Sequence, residues 1–218
     1  MTIQTMLTLL GEGFLTTLAI FALTLIGSLP LGLLVYFGRK CPIAPVRWLV
    51  NAYISIMRGT PLTLQLMVVY FGPNLLFGLN VSSSWRFTAV IIGFVINYAA
   101  YFAEIYRGGI ESISHGQYEA AEVLGYTKVQ TFVKIILPQM IKRVLPSVTN
   151  EVITLVKDTS LAYIIGVVEM FTRAKQINSA PTSPGMLTFV AAGVIYWVFN
   201  LVVTVAMEQI EKKLSYYE

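Results

Sequence analysis

The sequence predicts an all-α membrane protein, and three observations predict it. Charged residues make up 12% of the 218 and hydrophobic residues 56%, where a soluble domain carries about 25% charged. The mean hydropathy of +0.71 agrees. The charge deficit is concentrated in two places: 26 uncharged residues separate Glu12 from Arg39, and 32 separate Lys175 from Glu208. Each run exceeds the ~20 apolar residues that cross a ~30 Å hydrocarbon core as a helix. Soluble globular, disordered and nucleic-acid-binding classes are excluded. The net charge of +4 is ordinary for a membrane protein with basic cytoplasmic loops, so no nucleic-acid partner is implied.

Five segments are expected to cross. The first covers 14–37, with a kink expected at Pro30 and close helix approach at Gly27 and Gly32. No Lys or Arg precedes it, and it outlasts the ~7–15-residue apolar core of a cleaved leader, so it reads as a retained span. A short surface helix over 46–57 is expected next, then a second span over 61–77, with Thr60 as N-cap and Pro61 at the first helical position. The third span covers 87–107. The fourth, 144–168, carries Glu151, Lys157 and Asp158, and the fifth covers 186–207. The lone Cys41 has no second thiol for a disulfide or metal site. Trp48, Trp85 and Trp197 read as interface or packing residues.

Orientation follows from the basic residues. Arg39, Lys40, Arg47, Arg107, Lys128, Lys134, Lys142, Arg143, Lys212 and Lys213 fall on one side, against Arg86, Arg173 and Lys175 on the other. The positive-inside rule places the N-terminus outside and the C-terminus in the cytoplasm.

The cytoplasmic segment 108–143 is longer than an ordinary helix connection of about 2–8 residues. It reads as two short helices, 118–124 and 128–136, with Gly125 ending the first in a left-handed conformation and the second stopping before Pro138. Such a hairpin either lies on lipid headgroups or docks a cytoplasmic partner. The lone histidine, His115, reads as a solvated turn residue. The spacing is Glu119-Ala120-Ala121, three residues, Gly125, nine residues, Ile135, one residue, Leu137-Pro138. This resembles the EAA loop of permease subunits of ATP-binding-cassette (ABC) importers. Arg58-Gly59-Thr60-Pro61-Leu62, Tyr101-Phe102-Ala103-Glu104-Ile105, Arg107-Gly108-Gly109-Ile110, Asn150-Glu151 and Lys157-Asp158-Thr159-Ser160-Leu161 look like its polar amino-acid uptake branch. His115 departs from the family's usual turn residues.

The resemblance implies a single permease domain over the whole chain that works by alternating access in the cytoplasmic (inner) membrane of a prokaryote. It implies a dimer of ATPase subunits, a second permease that is identical or paralogous, an extracytoplasmic substrate-binding protein and an amino-acid substrate. Glu119, Ala120, Ala121 and Gly125 would carry the ATPase contact. The chain itself would hold no cofactor, ATP and Mg being bound by the partner ATPase.

Two polar stripes interrupt the apolar spans. Asn97, Tyr101 and Glu104 share one helical face, and Glu151, Thr154 and Asp158 share another. Charges at membrane depth cost about 2.5–3.5 kcal/mol each and are functional candidates. A carboxylate among Glu104, Glu151 and Asp158 is expected to face the amino or basic group of a substrate, with Lys157 facing its carboxylate. The balance of these four charges tilts toward basic amino acids. Against this, Glu104 can pair with Arg107, and Arg58, Lys157 and Asp158 can brace helix contacts. No G-x-x-x-x-G-K-[ST], G-x-S-x-G, H-E-x-x-H or Cys/His cluster is present, so ATP hydrolysis and embedded catalysis are not expected of this chain. The competing reading is a secondary carrier or channel working without an ATPase, but the expected spans show no internal repeat.

Overall fold

The computed structural model describes residues 1–214, and every regular element among them is helical. Helix α1 runs Ile3–Arg39 without interruption and carries Pro30 inside it. Its 37 residues make a rod about 55 Å long. It begins well ahead of position 14 because Thr2 caps it, accepting a hydrogen bond from the Thr5 amide at 3.2 Å. Its early turns then bury Met6 and Leu10 against α8 (Met170–Asn178) and α9 (Met186–Leu214).

Helix α2 (Ala44–Gly59) is longer than the surface helix expected there, and it meets α3 (Leu62–Phe77) at 115°. The assignment of Thr60 as N-cap shifts by one residue. Thr60 is extended and closes α2, its hydroxyl donating back to the Ile56 carbonyl at 2.8 Å, while Pro61 is the N-cap of α3. The residue before a proline is driven to extended backbone, so the helix cannot start earlier.

Helix α4 (Trp85–Glu111) outruns the expected 87–107 at both ends. It packs against α1 more extensively than any other pair of described elements do. At Gly32 a Cβ would lie 2.8 Å from Phe102 Cβ and 3.0 Å from the Ala99 carbonyl. The close approach therefore depends on the missing side chain.

The hairpin after α4 holds α5 (His115–Val123), started by Ser114 and so longer than 118–124, and α6 (Lys128–Thr131). Thr127 and Gln130 form a reciprocal capping box on α6. The expected stop before Pro138 does not occur. The chain widens into a π turn, Phe132–Ile136, and continues as α7 (Leu137–Asp158). Pro138 falls in the first turn of α7, where its missing N–H is tolerated. Gln139 Nε2 donates to the Ile135 carbonyl at 2.9 Å, a side-chain bond across the turn in which the π segment passes into α7.

The segment expected as the fourth span is α7 followed by a 3₁₀ helix, Thr159–Ile165, that ends on left-handed Gly166. By length and composition three described helices can cross a membrane, α1, α4 and α9, or four if the bent α2–α3 pair is one span. Helix α7 falls short of five because Lys142, Arg143, Glu151, Lys157 and Asp158 dilute its apolar character. Helix α8 was not expected. The main core joins Ile20, Leu66, Phe94, Tyr98, Phe102 and Leu155 from α1, α3, α4 and α7.

Replacing Gly32 with Leu is expected to lower the detergent-state stability by about 1–3 kcal/mol through overpacking. Gly11→Ala is the control, since its added Cβ meets nothing within 4 Å. Thermal unfolding followed by size-exclusion chromatography measures both.

Candidate functional site

The turn between α2 and α3 frees carbonyl groups that a bilayer supplies no water to satisfy. The Gln65 amide nitrogen lies 3.0 Å from the carbonyls of both Met57 and Thr60 and 2.8 Å from Thr60 Oγ1. Asn97 Nδ2 donates to the same Met57 carbonyl at 3.1 Å and to Gln65 Oε1 at 2.9 Å. Asn97 is buried, and its amide is committed to the break. Two amides from different helices thus hold one bend.

Beside the bend, a cavity of about 310 Å³ lies between α4 and α7, bordered by Thr60, Pro61, Asn97, Tyr98, Tyr101, Glu151, Thr154 and Asp158. Its wall has two carboxylates and neither Lys nor Arg. Tyr98 donates its hydroxyl to Asp158 Oδ2 at 2.8 Å, and the Thr154 hydroxyl donates back to the Asn150 carbonyl at 2.9 Å. A second cavity of about 460 Å³ is bordered by Arg58, Tyr101, Glu104, Arg107, Arg143 and Glu151. Tyr101 and Glu151 border both.

All of the expected pathway residues except Lys157 border one cavity or the other. Lys157 is exposed and lines neither. One helical position from inward-facing Asp158, it is turned about 100° away.

Glu104 is not a free carboxylate. It accepts hydrogen bonds from Arg39 of α1 and from Arg107 Nε and Nη2 at 3.0 and 2.7 Å, and Arg58 Nη1 of α2 lies 3.6 Å away. Arg107 reaches on to Glu111, which Lys40 approaches at 3.6 Å. The C-terminal end of α1 is thereby tied to α4, and Glu104, which borders the larger cavity, also makes the pairing with Arg107 that was the alternative expected for it.

On the hairpin, Glu119 and Ala120 are exposed, whereas Ala121 is buried and packs inward. Gly125 has φ +76. Its amide donates to the Glu122 carbonyl at 2.9 Å, and the Tyr126 amide donates to the Ala121 carbonyl at 3.0 Å, the paired bonds of a Schellman cap. The turn leaves Val123 and Leu124 87% and 72% exposed, next to exposed Val129 and Val133.

Several side chains that build this region had no signal in the sequence. Tyr98 and Arg39 bond residues far along the chain, and Gln65 joins the bend beside it to Asn97 on α4, so no local pattern marks them. Glu169 is fully buried and accepts from the amides of Phe171 and Thr172, each at 2.7 Å, from Thr172 Oγ1 at 2.8 Å and from Tyr196 at 3.0 Å. An acidic residue ahead of a helical pattern is the one local hint of such a cap. Among the described residues no cluster of three His, Cys, Asp or Glu offers a metal site.

The chain is 37% identical over 204 residues to the arginine transport system permease protein ArtQ of Bacillus subtilis (strain 168), covering 94% of this chain and 91% of that one. It is 33% identical over 209 residues to the L-cystine transport system permease protein TcyB of the same organism, covering 96% and 88%. A crystal structure described as an amino acid ABC transporter with histidines superposes with a TM-score of 0.86 at 32% identity, covering 98% of this chain and all of that one. The family model for the inner membrane component of binding-protein-dependent transport systems matches residues 28–216. With nearly the whole chain spanned by the family model and by these relatives, the protein belongs to the family of inner membrane components of binding-protein-dependent transport systems.

Proposed function

We propose that this ABC-importer permease subunit carries polar amino acids, basic ones foremost, across the cytoplasmic membrane of a prokaryote by alternating access. The observation that carries the reading is the smaller cavity, where Glu151 and Asp158 meet no Lys or Arg on the wall. Two carboxylates at membrane depth without a wall cation are costly unless a cationic ligand answers them. Relatives named for arginine and for L-cystine support the amino-acid class.

The chain crosses five times, through α1, the bent α2–α3 pair, α4, α7 and α9, with the N-terminus outside and the C-terminus cytoplasmic. Helix α7 crosses despite its charges because its polar face borders the path. A second permease, identical or paralogous, closes the path on the side one subunit leaves open. An extracytoplasmic binding protein delivers the substrate.

ATP and Mg bind a separate pair of ATPase subunits, and this chain needs no cofactor of its own. The hairpin couples the two, with Glu119 and Ala120 meeting the ATPase and Gly125 setting the turn that presents Val123 and Leu124. Ala121 contributes from beneath, by packing the helix to its base.

Gly125→Val is expected to abolish uptake and substrate-stimulated ATP hydrolysis in the reconstituted transporter while leaving the membrane level unchanged. The left-handed backbone penalises a β-branched residue even though the space around Gly125 is open. Normal coupling in that variant removes the hairpin from the contact. Asp158→Asn is expected to weaken binding of L-arginine by about tenfold, equivalent to ~1.4 kcal/mol, and to spare L-glutamine. Competition binding reads the difference, and equal affinity for both amino acids in variant and parent removes Asp158 from the path.

A further inference from the structure

An amino acid carries a carboxylate as well as an amine, and Lys157, the cation expected to meet it, lines neither cavity. We propose that Arg58 is the residue that receives the substrate α-carboxylate, an inference that rests on the two cavities being the amino-acid path.

Arg58 stands one position before the last residue of α2, next to Met57, whose carbonyl the Gln65 and Asn97 amides hold. The backbone that aims it is therefore fixed. Its guanidinium lies over the Tyr101 ring at 5.5 Å, and Tyr101 borders both cavities. The larger cavity presents three guanidiniums, and they differ in how fully they are engaged. Arg107 is spent on Glu104 and Glu111, and Arg143 donates to the Ser112 carbonyl. Arg58 makes no hydrogen bond among the described residues. Its one ion contact, 3.6 Å to Glu104, is to a carboxylate that Arg39 and Arg107 already occupy at shorter range.

The Arg58 side chain is 46% exposed, which leaves donors of a planar fork open toward the cavity. That fork matches a carboxylate in bidentate geometry, which an ammonium does not. Glu151 sits on the wall of both cavities, so a ligand whose amine reaches Glu151 and Asp158 has its carboxylate on the Arg58 side. One wall is acidic and the other offers an unspent cation, which suits a zwitterion with an additional positive group.

The alternative role for Arg58 is a third clamp on Glu104, and a pair of ligands separates the two. L-arginine and agmatine share the amine and the guanidinium, and agmatine lacks the α-carboxylate. Equilibrium binding of each is measured on the purified permease–ATPase complex in detergent without binding protein, so that the selectivity read is the permease's own. The parent complex is expected to bind L-arginine at least about tenfold tighter than agmatine, as a site built for a polar group rejects the analogue lacking it. Arg58→Gln is expected to erase that ratio by weakening L-arginine while keeping or tightening agmatine, since a like charge has left the wall. Arg58→Lys is expected to retain part of the ratio, and it carries the test if Arg58→Gln does not assemble. Loss of both ligands in parallel, with the ratio preserved in either variant, overturns the proposal and leaves Arg58 as a brace. Equal affinity for the two ligands in the parent overturns it as well. A parent complex that binds neither ligand shows instead that the basic-amino-acid reading of the cavities has failed, and the Arg58 assignment falls with it.

Discussion

Where α2 turns into α3, the backbone leaves its helical ladder inside a chain built for lipid, and its freed carbonyls need donors from the protein itself. Gln65 and Asn97 supply them, one from the helix after the bend and one from α4. Much of the site's geometry depends on this arrangement. It fixes where Thr60 and Pro61 meet the smaller cavity and where Arg58 leaves α2, and it locks the α2–α3 pair to the helix that α1 packs against. A bend of 115° with unpaired carbonyls in a lipid environment would cost several kcal/mol per group. With two amides on it, the bend forms a fixed wall of the smaller cavity.

Electrostatics divides the molecule along its depth. At the end of α4, Glu104 and Glu111 are matched by Arg39, Lys40 and Arg107, and the helix ends are held together there. Deeper, Glu151 and Asp158 border a cavity without a wall cation. The first arrangement stabilises a structure, because each charge removed from water is answered by a neighbour. The second leaves a local excess of negative charge on the cavity wall, and Arg58 stands between the two regions.

The outer surface follows from the same solvent. Helix α9 is apolar and buries only Thr188, Ala192 and Val203, while α1 exposes Leu15, Ile26 and Leu34. In water these faces would drive aggregation; in a bilayer they are the ordinary exterior. The hairpin differs, because its exposed Val123, Leu124, Val129 and Val133 stand beside Glu119 and Glu122 rather than within a long apolar run. With exposed Lys128 and Lys134 beside Val129 and Val133, this surface is mixed apolar and charged, unlike the uninterrupted apolar faces of α1 and α9.

Features governed by local chemistry were legible in the sequence by itself. Long uncharged runs specify membrane helices, because length and hydropathy decide that without reference to any other segment. Gly125 was legible as a left-handed turn and Pro61 as a boundary, since each acts through its own backbone. The motif spacing carried the family, and the match over residues 28–216 agrees with it. The polar stripes on α4 and α7 were visible as stripes, but which of their members meet a cavity was decided only by tertiary structure. Asn97 borders the smaller cavity with its amide held by Met57 and Gln65, Glu104 borders the larger one already paired with Arg39 and Arg107, and Lys157 lines neither. The run of helix through Pro138, the start of α1 at Ile3 and the buried cap at Glu169 were hidden for the same reason. Each is settled by a partner from elsewhere in the fold or by one turn of backbone geometry, and periodicity records which face a residue shares, not what stands opposite it.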